Sequence, residues 1–348
     1  MKVFHIFFIL LIVLLHLSML CCIDANQDPL NQFDVHQTKI IKPTIWIPLE
    51  EYEVLQPKEI IKYDDYYIII NQTRKDVIKC VNFSTNKVIS GVNYGNGPNE
   101  LNMIGKLRKV NEKLLINDIS LKKIYELNII QDSILQIESF SEINYDKKLF
   151  VFDYLDDNIV IASGFFIDFW IGYIDIHNNV LLSSIDFPKF EKTSHVSGEQ
   201  KSVLYISSHI SLSPNSKKLV VATQYAGVIS FVNVGETLKE YKQIKYFSPD
   251  FSVIQGGNIS HSKDEKVGFC GVDCDDEYIY ALYSGRTFNS HRELSHHCEN
   301  ILVYDWDGNP IKRYILDVPI WSMGYDIEKN SIYGIAYNPE GGFIEYQL

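Results

Sequence analysis

From about residue 41 onward the chain repeats one pattern: a polar turn, a short apolar, aromatic or β-branched run, and a second short run that ends in an Asp or Asn turn. The first kind of run recurs as Tyr66-Tyr-Ile-Ile-Ile-Asn, Lys113-Leu-Leu-Ile-Asn-Asp, Asn158-Ile-Val-Ile-Ala-Ser, Lys218-Leu-Val-Val-Ala-Thr, Glu277-Tyr-Ile-Tyr-Ala-Leu-Tyr and Asn330-Ser-Ile-Tyr-Gly-Ile-Ala-Tyr. Such compositions predict β-strands. Each is introduced by a turn: Tyr63-Asp-Asp, Val110-Asn-Glu, Leu155-Asp-Asp, Ser213-Pro-Asn-Ser-Lys, Cys274-Asp-Asp and Ile327-Glu-Lys. Read this way, the chain six times makes a turn and then the inner strand of a unit. No long segment sets apolar residues at i, i+3, i+4 and i+7 with caps, so helices are not predicted.

Successive units are spaced by roughly 45 to 60 residues, the range of a four-stranded antiparallel blade with its loops. Five to seven blades fit an all-β propeller, and six fits best. The last unit, after Trp321, is short of a full blade, and Thr44-Ile-Trp-Ile-Pro-Leu is expected to supply its missing outer strand. That pairing closes the ring and removes an exposed edge. A pair of β-sandwiches is the competing architecture, against which the regular recurrence of one motif argues. No Pro-, Gly- or Ser-rich linker divides the chain, so one domain is expected over 41–348, preceded by a tether over 23–40.

The first residues carry Lys2 and a nearly unbroken apolar run from Phe4 to Leu20, ending at Cys21-Cys22 and a polar stretch. This is the layout of a secretory signal over 1–22. The tract Leu17-Ser-Met-Leu-Cys-Cys resembles a bacterial lipobox, which implies lipidation of Cys22, with Cys21 as the alternative, and a membrane partner held through that lipid. An ordinary secretory signal or an uncleaved anchor is the other reading.

Charge and cysteine content narrow the remaining chemistry. The net charge is −12 and no basic stretch is present, so the phosphate attraction that dominates nucleic-acid binding has no source, and nucleic acid is excluded as a partner. Cys80, Cys270, Cys274 and Cys298 are too few and too scattered for a disulfide scaffold, and read as buried thiols, of which one pair would be able to bridge in an oxidising compartment. Cys270 and Cys274, with His291 and His296-His297-Cys298, include zinc-ligand types at poor spacing, and no metal or other cofactor is expected. No Gly-x-Ser-x-Gly elbow occurs, and the isolated His209 and His261 read as satisfied loop or core histidines. The pairs Asp64-Asp65, Asp156-Asp157 and Asp275-Asp276 recur at equivalent positions and therefore read as turns. In Gly95-Asn-Gly-Pro-Asn-Glu, two glycines, Pro98 and a loop-pinning Glu100 account for a structural turn.

Tyr94-Gly-Asn-Gly-Pro-Asn-Glu-Leu, Ile279-Tyr-Ala-Leu-Tyr-Ser-Gly-Arg and Val303-Tyr-Asp-Trp-Asp-Gly-Asn-Pro-Ile together resemble segments of the Bacteroidetes lipoproteins described as BF-type, TolB-like six-bladed propellers. The resemblance covers essentially the whole mature chain. It implies a six-bladed propeller, placement in the cell envelope at the outer membrane on its periplasmic side or surface, and no established reaction. The expected function is a lipid-anchored, non-catalytic scaffold whose face binds a protein, peptide or glycan. The alternative is a propeller enzyme, a lactonase-like hydrolase or a lyase, working in the central channel. Asp168, Trp170, Gln224, Tyr225 and Arg286, near strand ends, are the candidate ligand-binding residues, and no catalytic residue is assigned.

Overall fold

A computed structural model describes residues 28–348 apart from 111, 132, 157 and 338–340, and the backbone alone of Tyr337. The expected signal segment, Cys21 and Cys22 lie outside the described residues. Six antiparallel blades follow one another around a ring. Blade 1 is Pro57–Tyr63, Tyr66–Asn71, Ile78–Asn82 and Lys87–Tyr94; blade 2 is Ile104–Val110, Lys113–Asp118, Lys123–Ile130 and Ile134–Glu142. Blade 3 is Leu149–Tyr154, Ile159–Gly164, Ile171–Asp175 and Val180–Ile185; blade 4 is Ser208–Leu212, Lys218–Thr223, Val228–Val234 and Leu238–Lys245. Blade 5 begins with Phe269–Cys274, Tyr278–Tyr283 and Cys298–Asp305. The long strand Pro310–Asp326 then serves twice: its first half pairs with Cys298–Asp305 (Leu302 opposite Arg313) and its second half with Ser331–Tyr337 (Gly324 opposite Tyr333).

Blade 6 is therefore the end of that long strand, Ser331–Tyr337, Gly341–Gln347 and, from the other end of the chain, Ile45–Pro48. Trp46 lies opposite Ile344 in this last pairing, the closure expected from the sequence. It leaves the last blade complete and covers the open edge of Gly341–Gln347.

The apolar runs are the second strands of their blades, not the innermost ones as their hydrophobicity suggests. Tyr66–Asn71, Lys113–Asp118, Ile159–Gly164, Lys218–Thr223 and Tyr278–Tyr283 each have every residue after the first buried. A second strand is flanked by neighbours within its blade and covered on both faces by the adjacent blades, so both sets of alternating side chains must be apolar. The innermost strands precede the Asp turns and have one face on the channel, which admits polar residues. Neighbouring innermost strands contact one another around the whole ring, ending with Pro310–Asp326 against Pro57–Tyr63.

Six apolar clusters, one at each blade junction, form the core. Ile68, Ile70 and Leu114 belong to the cluster between blades 1 and 2. Tyr67 and Phe83 of blade 1 pack on Phe343 of blade 6, with ring centroids 4.5 and 4.4 Å away. Each such side chain contributes roughly 1.5–3 kcal/mol when fully buried.

The stretch expected to act as a tether is described from Asp28 onward, and there it lies on the propeller. Asp28 caps a short helical turn, Pro29–Gln32. Phe33 enters the core between blades 4 and 5, and Thr38–Ile41 adds a parallel strand to the edge of blade 5, Thr38 opposite Arg313. The paired aspartates are turns: Asp275 Oδ1 accepts from the backbone N–H of Glu277 and Tyr278, and Asp156 Oδ1 from those of Asn158 and Ile159. No helix among the described residues is long and apolar enough to cross a membrane.

Candidate functional site: the central channel

All six innermost strands run the same way through the ring, so their first residues meet at one mouth and their last at the other. At the first mouth, side chains from five blades surround a cavity of about 590 Å³. Blade 1 contributes Lys58 and Glu59, blade 2 Lys106 and Arg108, blade 4 His209 and Gln224, blade 5 Cys270, His296 and His297, and blade 6 Trp321 and Met323. A second cavity of about 400 Å³ opens at the other mouth, shares Glu59, Arg108 and Met323 with the first, and adds Lys62, Asp153, Ser211 and Asp273.

A charged waist separates the two. Arg108 Nε lies 2.8 Å from Asp153 Oδ1 and donates to the Phe152 carbonyl. Its Nη1 is 3.9 Å from Glu59 Oε1, and Lys106 Nζ is 3.4 Å from the same oxygen. Asp153 Oδ2 accepts from the Leu212 N–H. Across the channel Asp273 accepts from the N–H groups of Tyr325 and Cys274 and from the Ser211 hydroxyl. Burial pushes the carboxyls of Asp153 and Asp273 up, against the pull of the Arg108 charge and of their hydrogen bonds.

Two polar atoms facing this space have no hydrogen-bond partner among the described residues. Glu59 is 8% exposed, and its Oε2 is buried without a hydrogen bond. An orphaned buried acceptor costs about 1–3 kcal/mol. The same holds for His209 Nε2, which corrects the expectation that His209 is a satisfied histidine. Burial first, and then the Lys106 and Arg108 charges, push the His209 imidazole down to about 3, so it is neutral at ordinary pH and able to give or take a hydrogen bond. Burial likewise lowers the Lys106 ammonium.

The residues singled out from the sequence are placed as follows. Gln224 lines the cavity at the first mouth. Tyr225 stands behind the mouth, its ring packed at a tilt on His261 with centroids 4.5 Å apart and its hydroxyl 3.4 Å from His296 Nε2. His261 is satisfied, its Nδ1 2.6 Å from Glu265 Oε2. Arg286 pairs with Glu299 and donates to the Leu294 carbonyl, bracing the loop that carries His296 and His297. Asp168 is exposed on the loop before Ile171–Asp175. Trp170 is a core residue, 1% exposed, with Nε1 donating to Ser208.

The four cysteines among the described residues are buried free thiols. Cys270 lies beside Cys298, whereas Cys274 faces Ser211 and Asp273. Among the described residues no three His, Cys, Asp or Glu side chains are grouped to hold a metal ion.

Sequence reasoning missed Glu59, Lys106, Arg108, Asp153 and Asp273, and set His209 aside as a satisfied histidine. The available signal is positional. In the strand just before each polar turn, a charged residue or histidine interrupts an otherwise apolar alternation, as in Lys106-x-Arg108 and His209-x-Ser211.

A family model described as TolB-like 6-blade propeller-like matches residues 38–329. No curated protein matches the chain in sequence. Among solved structures, a protein of Bacteroides fragilis described as exported superposes with a TM-score of 0.51 at 10% identity, over 89% of this chain and 99% of its own. The calcium-binding protein regucalcin of Agrobacterium tumefaciens does so with 0.50 at 12% identity, over 89% and 96%. At these identities the likeness is one of fold. The family model spans most of the ring, and the chain belongs to the TolB-like six-bladed propeller family.

Proposed function

We propose that this chain is an exported propeller that binds a small polar ligand at the first mouth of its central channel, held to the cell envelope by lipid on Cys22 or, failing that, Cys21. The observation that carries the reading is the convergence of Glu59, Lys106, Arg108 and His209, from three blades, on one cavity of about 590 Å³. A stability-driven core would bury apolar groups there, since an ion pair removed from water is no better than well-packed hydrocarbon. Convergent polar groups in a concave site are the usual mark of ligand binding. The exported relative from Bacteroides fragilis and the apolar leader support envelope placement in a bacterium of that kind.

Binding is tested by thermal shift with a library of carboxylates, sugars and phosphates. A ligand that raises the Tm of the wild type and not that of Lys106→Met supports the site. A library without effect, or one whose effect survives that substitution, removes it. Lipidation is tested by labelled palmitate and mass spectrometry of the N-terminal peptide, where an unmodified, free N-terminus other than Cys22 or Cys21 rejects the anchor.

A second reading, hydrolase or lyase chemistry in the channel, is favoured by the neutral His209 and the open oxygen of Glu59 lining one cavity. These groups are able to move a proton at a bound ligand. The two readings part on turnover: in an enzyme, His209→Gln stops conversion of the ligand with little loss of binding, whereas a scaffold returns its ligand unchanged.

A further inference from the structure

A third cavity of about 510 Å³ lies on the face of the first mouth, over the cleft between blades 1 and 2, lined by Lys58, Gln72, Arg74, Tyr94, Asn102 and Met103 among others. Lys58 also lines the channel mouth, so the two cavities meet at its side chain. Together they pass the roughly 1,000 Å³ upper end of a small-molecule pocket, which implies an elongated ligand. Resting on the channel reading above, we propose that the ligand is an acidic oligosaccharide, one end seated in the channel mouth and the rest lying in the cleft between blades 1 and 2.

The chemistry of the lining selects this class. Lys106 and Arg108 both approach Glu59 at its Oε1, which leaves the buried Oε2 open to a donor. A hydroxyl supplies one. A further ligand hydroxyl satisfies the open Nε2 of neutral His209 in either tautomer, accepting from Nε2–H or donating to a bare Nε2. Gln72, Thr73 and Asn102 place further amides and a hydroxyl along the cleft. Lys58 and Arg74 form no ion pair among the described residues, in a protein whose net charge is −12, so the cations along this path are left for an anionic group of the ligand. Tyr94, 56% exposed, stands at the cleft, where it offers an aromatic face to the C–H side of a pyranose ring.

The loop between Tyr94 and Asn102, two residues of the cleft lining, is firmly held. Gly95 at φ 155° and Gly97 leave room for the Glu100 carboxylate, which accepts the Gly97 N–H at 2.7 Å. A Cβ at Gly95 would come within 2.1 Å of Glu100 Oε2. Asn99 bridges to blade 2, donating to the Leu135 carbonyl at 3.1 Å and accepting the Ile137 N–H at 2.8 Å. Asn93 and Tyr94 are already paired with Glu100 and Leu101, so the cleft offers no free strand edge for an extended peptide.

Isothermal titration of the full chain with trigalacturonate, trimannuronate, the two monouronates and neutral maltotriose decides it. One acidic trimer is expected to bind at least 10-fold more tightly than its own monomer and than maltotriose. Arg74→Ala and Tyr94→Ala should bring that trimer down to the affinity of the monomer and leave the monomer unchanged, while Glu59→Gln weakens both. A trimer no tighter than its monomer, a neutral trimer that binds equally well, or cleft variants that leave the trimer unaffected overturns the inference. Absence of all saccharide binding does so too. The channel reading is judged apart, by the metabolite thermal shifts and their loss in Lys106→Met.

Discussion

Replacing Arg108 by Met tests whether the channel waist is an electrostatic structure or merely a packed one. The substitution keeps most of the aliphatic volume and removes the charge that lies 2.8 Å from Asp153. Asp153 then retains one backbone donor, the Leu212 N–H, and the repulsion of Asp273. It will take up a proton rather than stay charged and unpaired. Neutralising an aspartate of ordinary pKa 3.8 costs about 1.4 kcal/mol per pH unit above that value, hence about 4 kcal/mol at pH 7 and about 1.6 kcal/mol at pH 5. The first figure agrees with the roughly 3–5 kcal/mol lost when one partner of a buried pair is removed. Arg108→Met is therefore expected to lose about 3–4 kcal/mol at pH 7 and about 1.5–2 kcal/mol at pH 5, read by urea unfolding through tryptophan fluorescence. Adding Asp153→Asn should recover about half of the loss at pH 7, because no carboxyl then needs neutralising. A loss below about 1 kcal/mol at pH 7, or equal losses at both pH values, would refute the reasoning and assign Arg108 to packing alone.

Three further outcomes follow from particular residues. His209 is held at about 3 in the folded protein against an ordinary 6.5, so below pH 6.5 the unfolded chain binds a proton that the folded chain refuses, and stability falls with pH down to about 3. Between pH 7 and 5 this costs about 2 kcal/mol, and urea unfolding of His209→Gln at the two values should show a pH dependence flatter by that amount; equal slopes would mean that His209 is not buried neutral. Phe343→Ala removes a ring packed on Tyr67 and Phe83 at the closure of blades 6 and 1 and is expected to cost about 3–5 kcal/mol, with a loss under about 1 kcal/mol in thermal or urea unfolding counting against ring closure there. Burial pushes the Cys80 thiol up to about 12, and Cys270, Cys274 and Cys298 are buried as well, so native protein at pH 8 should leave these four unreacted with a thiol-exchange reagent that labels them at once in urea; fast labelling of any of them would place it at the surface.

The sequence by itself determined the strand-and-turn rhythm, the number of blades, the aspartate turns and the use of Ile45–Pro48 to complete the last blade. These are local signals: a second strand covered on both faces must be apolar throughout, and a turn at positive φ or in an Asx geometry must draw on a few residue types. The same logic explains the one misplacement of strands, because the most apolar run of each blade was read as the innermost, whereas the innermost strand has a wet face and therefore a mixed pattern. Trp170 shows the converse error, an aromatic at a strand end that the fold spends on packing.

The site itself was decided by tertiary structure alone. Glu59, Lys106, Asp153, His209 and Asp273 sit on five strands of five blades, and in the sequence each is one polar residue in a short strand, indistinguishable from a solvent-facing position. Only winding the blades around one axis turns five outward-looking positions inward to a shared, confined space. There the neighbouring charges and the burial that no local pattern encodes shift the protonation of Lys106, Asp153, His209 and Asp273 and leave Glu59 Oε2 and His209 Nε2 without hydrogen bonds.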